Sequence, residues 1–263
     1  MFTTFFKMQS QPFTENVSIE QIYRDDRMTQ GLARLQYMAS QTTIALIQGQ
    51  TGVGKSVLIK LLLSSLPENY YKPIYIFFTN IKSSSLLKLI VNGLGEQPAL
   101  TKEKTFLQIM DKVTKSKLKT IIIVDEAHLL DKDALTDLRL LVSSGLQDSP
   151  QLKIILSGQE EIKEKLKRNV HKDFSDRISI HFHLKPLSKA QTVAYIDFQL
   201  KYAGVSEKIF DSEVKEMIYE YSNGIPRKIN NIATGCLINA AIQKEQRINM
   251  ELFNQVIPEI QLF

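Results

Sequence analysis

The chain has 263 residues, enough to bury a sizeable core as one large domain or as a medium domain with a small one. Hydrophobic residues at 43% and charged residues at 23% are ordinary for a globular protein, and no apolar run reaches the ~18–20 residues that cross a bilayer. A net charge of +5 with a pI near 9.1 mildly favours polyanionic partners, and a single cysteine, Cys236, excludes an internal disulfide. In chain order, short apolar runs predict strands at Ile44–Gln48, Ile74–Phe78, Thr120–Asp125, Leu152–Ser157 and Ile178–Leu184. Amphipathic stretches between them, such as Ser56–Leu66, Ser84–Leu94 and Lys132–Ser144, predict helices, and the alternation implies βαβ units with a parallel sheet. From Pro186 onward the pattern is helical only. Ser188 reads as the N-cap of a helix ending before Gly204, Asp211 starts a second, Pro226 opens a third and Asn249 caps a fourth. The expected organisation is an α/β domain over residues 1–185, with an N-terminal extension, and a small helical lid over residues 186–263.

Gly49-Gln50-Thr51-Gly52-Val53-Gly54-Lys55-Ser56 has the eight-residue spacing of a phosphate-binding loop and lies between a strand and a helix. Glycines let backbone N–H groups curl round phosphates, and the helix N-terminus that runs on into Val57 adds its positive dipole end. Lys55 is expected on the β- and γ-phosphates of ATP and the Ser56 hydroxyl on Mg²⁺. Ile121-Ile122-Ile123-Val124-Asp125-Glu126 is a strand apolar on both faces that delivers two carboxylates at its C-terminal end, where parallel sheets bind ligands. Asp125 is expected to hold the Mg²⁺ shell and Glu126 to polarise the attacking water. His128 completes Asp-Glu-Ala-His, a string also met in helicases, and is read as structural. Ser157-Gly158-Gln159 brings the polar Gln159 to the end of the fourth strand. In Gly224-Ile225-Pro226-Arg227, Pro226 suits a first helical position, whereas Arg227 faces an unfavourable dipole end that a nearby phosphate would offset.

Together these motifs resemble the AAA+ ATPases, with Walker A and Walker B elements. The likeness narrows to the ExeA-like branch through Phe5-Phe6, Pro12-Phe13, Leu32-Ala33-Arg34-Leu35-Gln36-Tyr37, Gly158-Gln159 and Arg177-Ile178. The resemblance implies a five-stranded parallel sheet of order 5-1-4-3-2. It also implies that residues near Pro12–Met28 wall the adenine and that Arg227 contacts phosphate in cis. Arg177 becomes the arginine finger offered to a neighbouring subunit, with Arg168 as the alternative and an ion pair with Asp173 or Asp176 as the plain reading.

Members of the branch act in secretion or, as stand-alone ATPases, resemble the helper ATPases of transposable elements. The expectation from the resemblance is an ATP-dependent regulator of DNA transposition and recombination. It would assemble as a homo-oligomer, ring or helical filament, on double-stranded DNA without sequence preference, and recruit or activate a transposase. The alternatives are a general-secretion ATPase subunit and a replicative helicase loader-like ATPase. Candidate DNA contacts are Lys82 and Ser83 after the second strand, and Lys102 and Lys104 on the next connection. Glu161 with Lys165 and Glu164 with Arg168 have i,i+4 spacing and read as surface pairs on a solvated helix. Met1-Phe2-Thr3-Thr4-Phe5-Phe6 lacks a charged n-region and a cleavage site, so a cytoplasmic protein without membrane partners is expected.

Overall fold

A computed structural model describes residues 2–77, 82–143 and 151–260. Phe78 and Ser144, expected to close a strand and a helix, and the end of the lid at Phe263 lie outside these residues. Contacts divide the chain into two compact units, an α/β unit of Arg27–Thr51 and Leu58–Leu184, and a helical unit of Met1–Asp26, Gly52–Val57 and Lys185–Phe263.

The α/β unit is built on strands β1 (Ile44–Gln48), β2 (Tyr71–Phe77), β3 (Lys119–Asp125), β4 (Leu152–Gly158) and β5 (Ile178–His183), all pairing in parallel. Their order is β2-β3-β4-β1-β5, the order implied by the resemblance. β1 and β4 are buried throughout, because both faces of a central parallel strand are covered by helices. The edge strand β2 alternates instead, with Ile74 and Ile76 buried and Tyr75 and Phe77 turned outward.

In chain order the helices are α1 (Phe2–Phe5), α2 (Asp26–Gln41), α3 (Lys55–Ser65), α4 (Ser83–Gly93), α5 (Lys102–Lys115), α6 (Lys132–Ser143), α7 (Glu161–Leu166), α8 (Lys172–Ser175), α9 (Lys189–Tyr202), α10 (Ser212–Ser222), α11 (Pro226–Gln243) and α12 (Met250–Ile260). The stretch read as a connection carrying Lys102 and Lys104 is the first turn of α5. Thr101 caps it by accepting from the Lys104 N–H at 3.3 Å, and Thr105, Ile109 and Val113 recur every four residues to bury one face. In the α/β core, Leu86, Leu87 and Ile90 of α4 and Leu135 and Leu138 of α6 join Ile122, Val124, Ile154 and Leu156 of the sheet. Each such side chain contributes about 1.5–3 kcal/mol on full burial.

Lys153 sits in the middle of this apolar strand system, 1% exposed, and its ammonium donates to the carbonyls of Met38 and Thr42. Burial pushes it down to about 8, and the charge of Lys119 acts in the same direction. Its ordinary value is 10.5, so between pH of about 8 and 10.5 the unfolded chain holds a proton that the folded chain has released. Stability contributed by this group therefore rises with pH through that window and is constant below it. Lys153→Met is expected to flatten the rise, checked by urea unfolding at several pH values from 7 upward. An unchanged pH slope would show that the ammonium is solvated in the folded state.

The helical unit packs α9–α12 around Ile196, Leu200, Ile218, Ile229, Leu237 and Phe253. Ser188 forms a capping box with Gln191, and Asn249 accepts from the Leu252 N–H at 3.0 Å, as their positions in the sequence predict. Phe2, Phe6 and Phe13 enter the same core, and the Gln9 N–H donates to the Ala203 carbonyl at 2.8 Å. Tyr23, within the stretch expected to wall the adenine, packs edge-on against Tyr195 at 5.8 Å. Burial pushes the Cys236 thiol up to about 12, leaving it a small hydrophobe. Among the described residues no helix is long and apolar enough to cross a membrane.

Candidate functional site

β1 runs directly into the glycine-rich loop, whose Gly49 N–H donates to the Gly158 carbonyl at the end of β4, 3.2 Å away. Gln50 and Thr51 are exposed, Val53 is buried, and Gly52 and Gly54 take φ of +80° and +110°. The chain then enters α3 at Lys55, which is 5% exposed, with Ser56 exposed and Val57 half-buried. Successive backbone N–H groups at the head of an eleven-residue helix form a natural anion cradle. Arg227, in the first turn of α11 behind Pro226, comes against this loop. Its N–H donates to the Gly52 carbonyl at 3.3 Å, and a Cβ at Gly52 would stand 2.8 Å from the Arg227 Cβ. A glycine is required there on two counts, backbone angle and space.

Asp125 and Glu126 emerge where β3 ends. Asp125 is 1% exposed, and its carboxylate accepts from the Tyr75 hydroxyl at 2.6 Å, the Ser157 hydroxyl at 2.7 Å and the Glu126 N–H at 3.0 Å. Three donors on one buried carboxylate satisfy its oxygens and fix its direction. Glu126 takes the left-handed conformation with φ 51° and ψ 36°, a strained choice for a residue with a side chain. The turn re-aims the chain, so Glu126 is half-buried beside His128 rather than inside the strand. Gln159 follows β4, half-buried, with its backbone and side chain both against His128. Sequence reasoning missed Tyr75 and Ser157 as partners of Asp125. Their signal was available, since Tyr75 alternates outward from the buried Ile74 and Ile76 on the neighbouring strand, and Ser157 is a hydroxyl closing an apolar one.

The other expected residues are dispersed. Arg177 is exposed just before β5 and has no ion-pair partner among the described residues, while Asp173 is taken by Arg139 at 2.9 Å. Ser83 is 6% exposed with its hydroxyl on Asp137, and the Lys102 ammonium lies 2.8 Å from the same carboxylate. Lys82 and Lys104 are exposed. The surface pairs read into residues 160–168 are redistributed. Glu164 pairs with Lys167 at 2.7 Å, while Lys165 turns inward and donates to the carbonyls of His128 and Leu130. Burial pushes the Lys165 ammonium down, and Arg168 adds to the effect.

Residues 38–166 match the family described as the AAA domain. General secretion pathway protein A of Aeromonas hydrophila is 28% identical over 256 residues, which are 94% of this chain and 46% of that protein. The chain thus spans about half the length of the curated relative it matches. Among solved structures, Cdc6p from Pyrobaculum aerophilum superposes with a TM-score of 0.76 at 15% identity, covering 95% of this chain and 70% of the other. The Aeropyrum pernix ORC1 protein, solved in complex with DNA, gives 0.71 at 18% identity over 93% of this chain and 68% of the other. At these identities the structures establish the fold alone, an α/β P-loop NTPase fold with five parallel strands in the order β2-β3-β4-β1-β5. The family match and the fold together support an ATPase. ATP with Mg²⁺ suits the residues of the loop: a glycine-rich cradle heading a helix, a lysine in it, and an exposed hydroxyl donor in Ser56.

Proposed function

We propose that this protein is an ATP-hydrolysing switch that assembles into an oligomer on duplex DNA. The observation that carries the reading is the seating of Arg227 on the glycine-rich loop, N–H to the Gly52 carbonyl at 3.3 Å. It brings a guanidinium-bearing helix start, within the same unit, to the loop proposed to cradle phosphate, so Arg227 can answer to bound nucleotide. In this reading Gly49–Val57 wrap the phosphates, with Lys55 and Arg227 neutralising their charge. Ser56 and Asp125 would hold Mg²⁺, which when bound neutralises charge on the β- and γ-oxygens. Glu126 orients and activates the water, and Gln159 supplies a polar contact at the strand end. Arg177, exposed and without an ion-pair partner among the described residues, is the finger offered to a neighbouring copy. Such a finger raises hydrolysis by roughly 10³–10⁵-fold, which ties turnover to assembly.

For DNA, support comes from the excess positive charge and from the ORC1 relative of the same fold, solved in complex with DNA. Lys82 and Lys104 are the exposed candidates for phosphate contacts, with Lys102 and Ser83 tied to Asp137 behind them. The finer reading is regulation of transposition, in which the ATP-bound oligomer marks target DNA for a transposase. The second reading is a secretion ATPase, favoured by the 28% identity to the Aeromonas secretion protein across 94% of this chain. Steady-state ATP hydrolysis with and without duplex DNA, at low and high salt, separates them. The expected result is several-fold stimulation by DNA that fades at high salt, because phosphate contacts release counterions. Hydrolysis indifferent to DNA at both salts would end the DNA reading and leave secretion.

A further inference from the structure

The imidazole of His128 stands between two groups that the proposed hydrolysis uses. Its Nδ1 lies 3.4 Å from the Glu126 carboxylate and also 3.4 Å from the backbone N–H of Gln159, which points at it. Its Nε2 lies 3.2 Å from the side-chain amide of Gln159. The ring is held in this position. Its side chain is 11% exposed, and Gly158 lets it approach, since a Cβ there would come within 3.1 Å of the His128 backbone N and 3.5 Å of Nδ1. Lys165 fastens the turn from the other side, donating to the carbonyls of His128 and, at 2.6 Å, Leu130.

One ring nitrogen cannot serve both neighbours at once. In a neutral imidazole each nitrogen carries either a proton or a lone pair. With the lone pair on Nδ1, the ring accepts the Gln159 N–H, Nε2–H meets the Gln159 amide oxygen once that amide is turned over, and the Glu126 carboxylate gains nothing from it. With the proton on Nδ1, the ring donates to Glu126, Nε2 accepts from the Gln159 side-chain amide as it stands, and only the Gln159 backbone N–H is given up. Both states are uncharged and differ in whether Nδ1 holds the Glu126 carboxylate or the Gln159 backbone N–H.

We propose that His128 is a positioning residue for ATP hydrolysis, its Nδ1 holding the Glu126 carboxylate in one hydrogen-bonded state and the Gln159 backbone N–H in the other. The orientation of the glutamate is then coupled to the end of β4, and His128 acts through Glu126 rather than on the nucleotide. This inference rests on the ATPase reading above. A histidine that merely filled space would be replaceable by any side chain of similar bulk. Here the need is for a hydrogen-bonding group at the place of Nδ1, which asparagine supplies and glutamine, whose amide reaches the place of Nε2, does not.

The test compares the full chain with Glu126→Gln, His128→Ala, His128→Asn and His128→Gln, measuring kcat, KM and nucleotide affinity. We expect His128→Ala to lower kcat about 10–100-fold, as misplacement of a reacting group does, while nucleotide Kd changes less than about threefold. His128→Asn should recover at least about fivefold of that loss and His128→Gln none, and His128→Ala added to Glu126→Gln should cost nothing further. Equal behaviour of the asparagine and glutamine variants, a kcat within about twofold of wild type in His128→Ala, or Kd weakening in step with kcat would each overturn the proposal. Those outcomes leave the ATPase reading standing, whereas a wild-type chain that hydrolyses no ATP overturns both.

Discussion

Glu126→Gln is expected to leave ATP bound and to cut its hydrolysis roughly 10²–10⁴-fold, the usual weight of a general base. Glutamine keeps the length and much of the hydrogen-bonding capacity of glutamate, so the left-handed turn at φ 51° and the neighbouring His128 have no steric reason to move. What it removes is the negative charge proposed to draw a proton from the attacking water. The groups proposed to bind nucleotide, Lys55 on α3 and Arg227 on α11, are on other parts of the chain and unchanged. Single-turnover phosphate release together with nucleotide retained on the protein checks this. A kcat within about threefold of wild type would place the base elsewhere.

Gly224→Ala carries the largest expected effect on stability. Gly224 follows Asn223, the left-handed C-cap of α10, and itself takes φ 69°. Its carbonyl accepts the Leu187 N–H at 2.8 Å, and a Cβ here would lie 1.9 Å from the Leu187 carbonyl oxygen. The obstruction is backbone on both sides, so no rotamer change relieves it. Left-handed strain of about 1–2 kcal/mol adds to overpacking of about 1–3 kcal/mol, for a loss near 3 kcal/mol. At about 2–4 °C per kcal/mol for chains of this size, the melting temperature should fall by roughly 6–12 °C. A fall below about 2 °C would mean that the segment before α9 can shift freely. Because Arg227 lies in the first turn of α11, three positions further on, nucleotide affinity should weaken as well.

The features legible in the sequence are those written in consecutive residues. Four β-branched residues at Ile121–Val124 declare a strand covered on both faces, and Asp125 closes that strand, buried. Gly52, Gly54 and Lys55 announce a loop whose angles only glycine accepts. The sheet order followed from the resemblance and stands as stated. Partners distant in sequence were not legible. Lys165 pairs with carbonyls of residues 128 and 130, and carbonyl acceptors belong to every residue type, so i,i+4 spacing pointed to Glu161 instead. The contact of His128 with Gln159 joins the ends of two different strands and left no mark in the sequence. The start of α5 was within reach, since Thr101 caps it and Thr105, Ile109 and Val113 share a face, but the lysines drew the reading towards a loop.

The aromatic residues that open the chain have a consequence for how the protein is made. Phe13 meets Gln199 across 186 residues, and Phe2 and Phe6 pack among helices from the last third of the sequence. A ribosome adding about 5–20 residues per second reaches those helices roughly 10–40 s after the phenylalanines emerge. Until then the sheet can be completed while three phenylalanines remain in water with nothing to cover them. The newborn chain therefore passes through a stage that is half folded and adhesive around these phenylalanines, the kind of intermediate on which holding chaperones act.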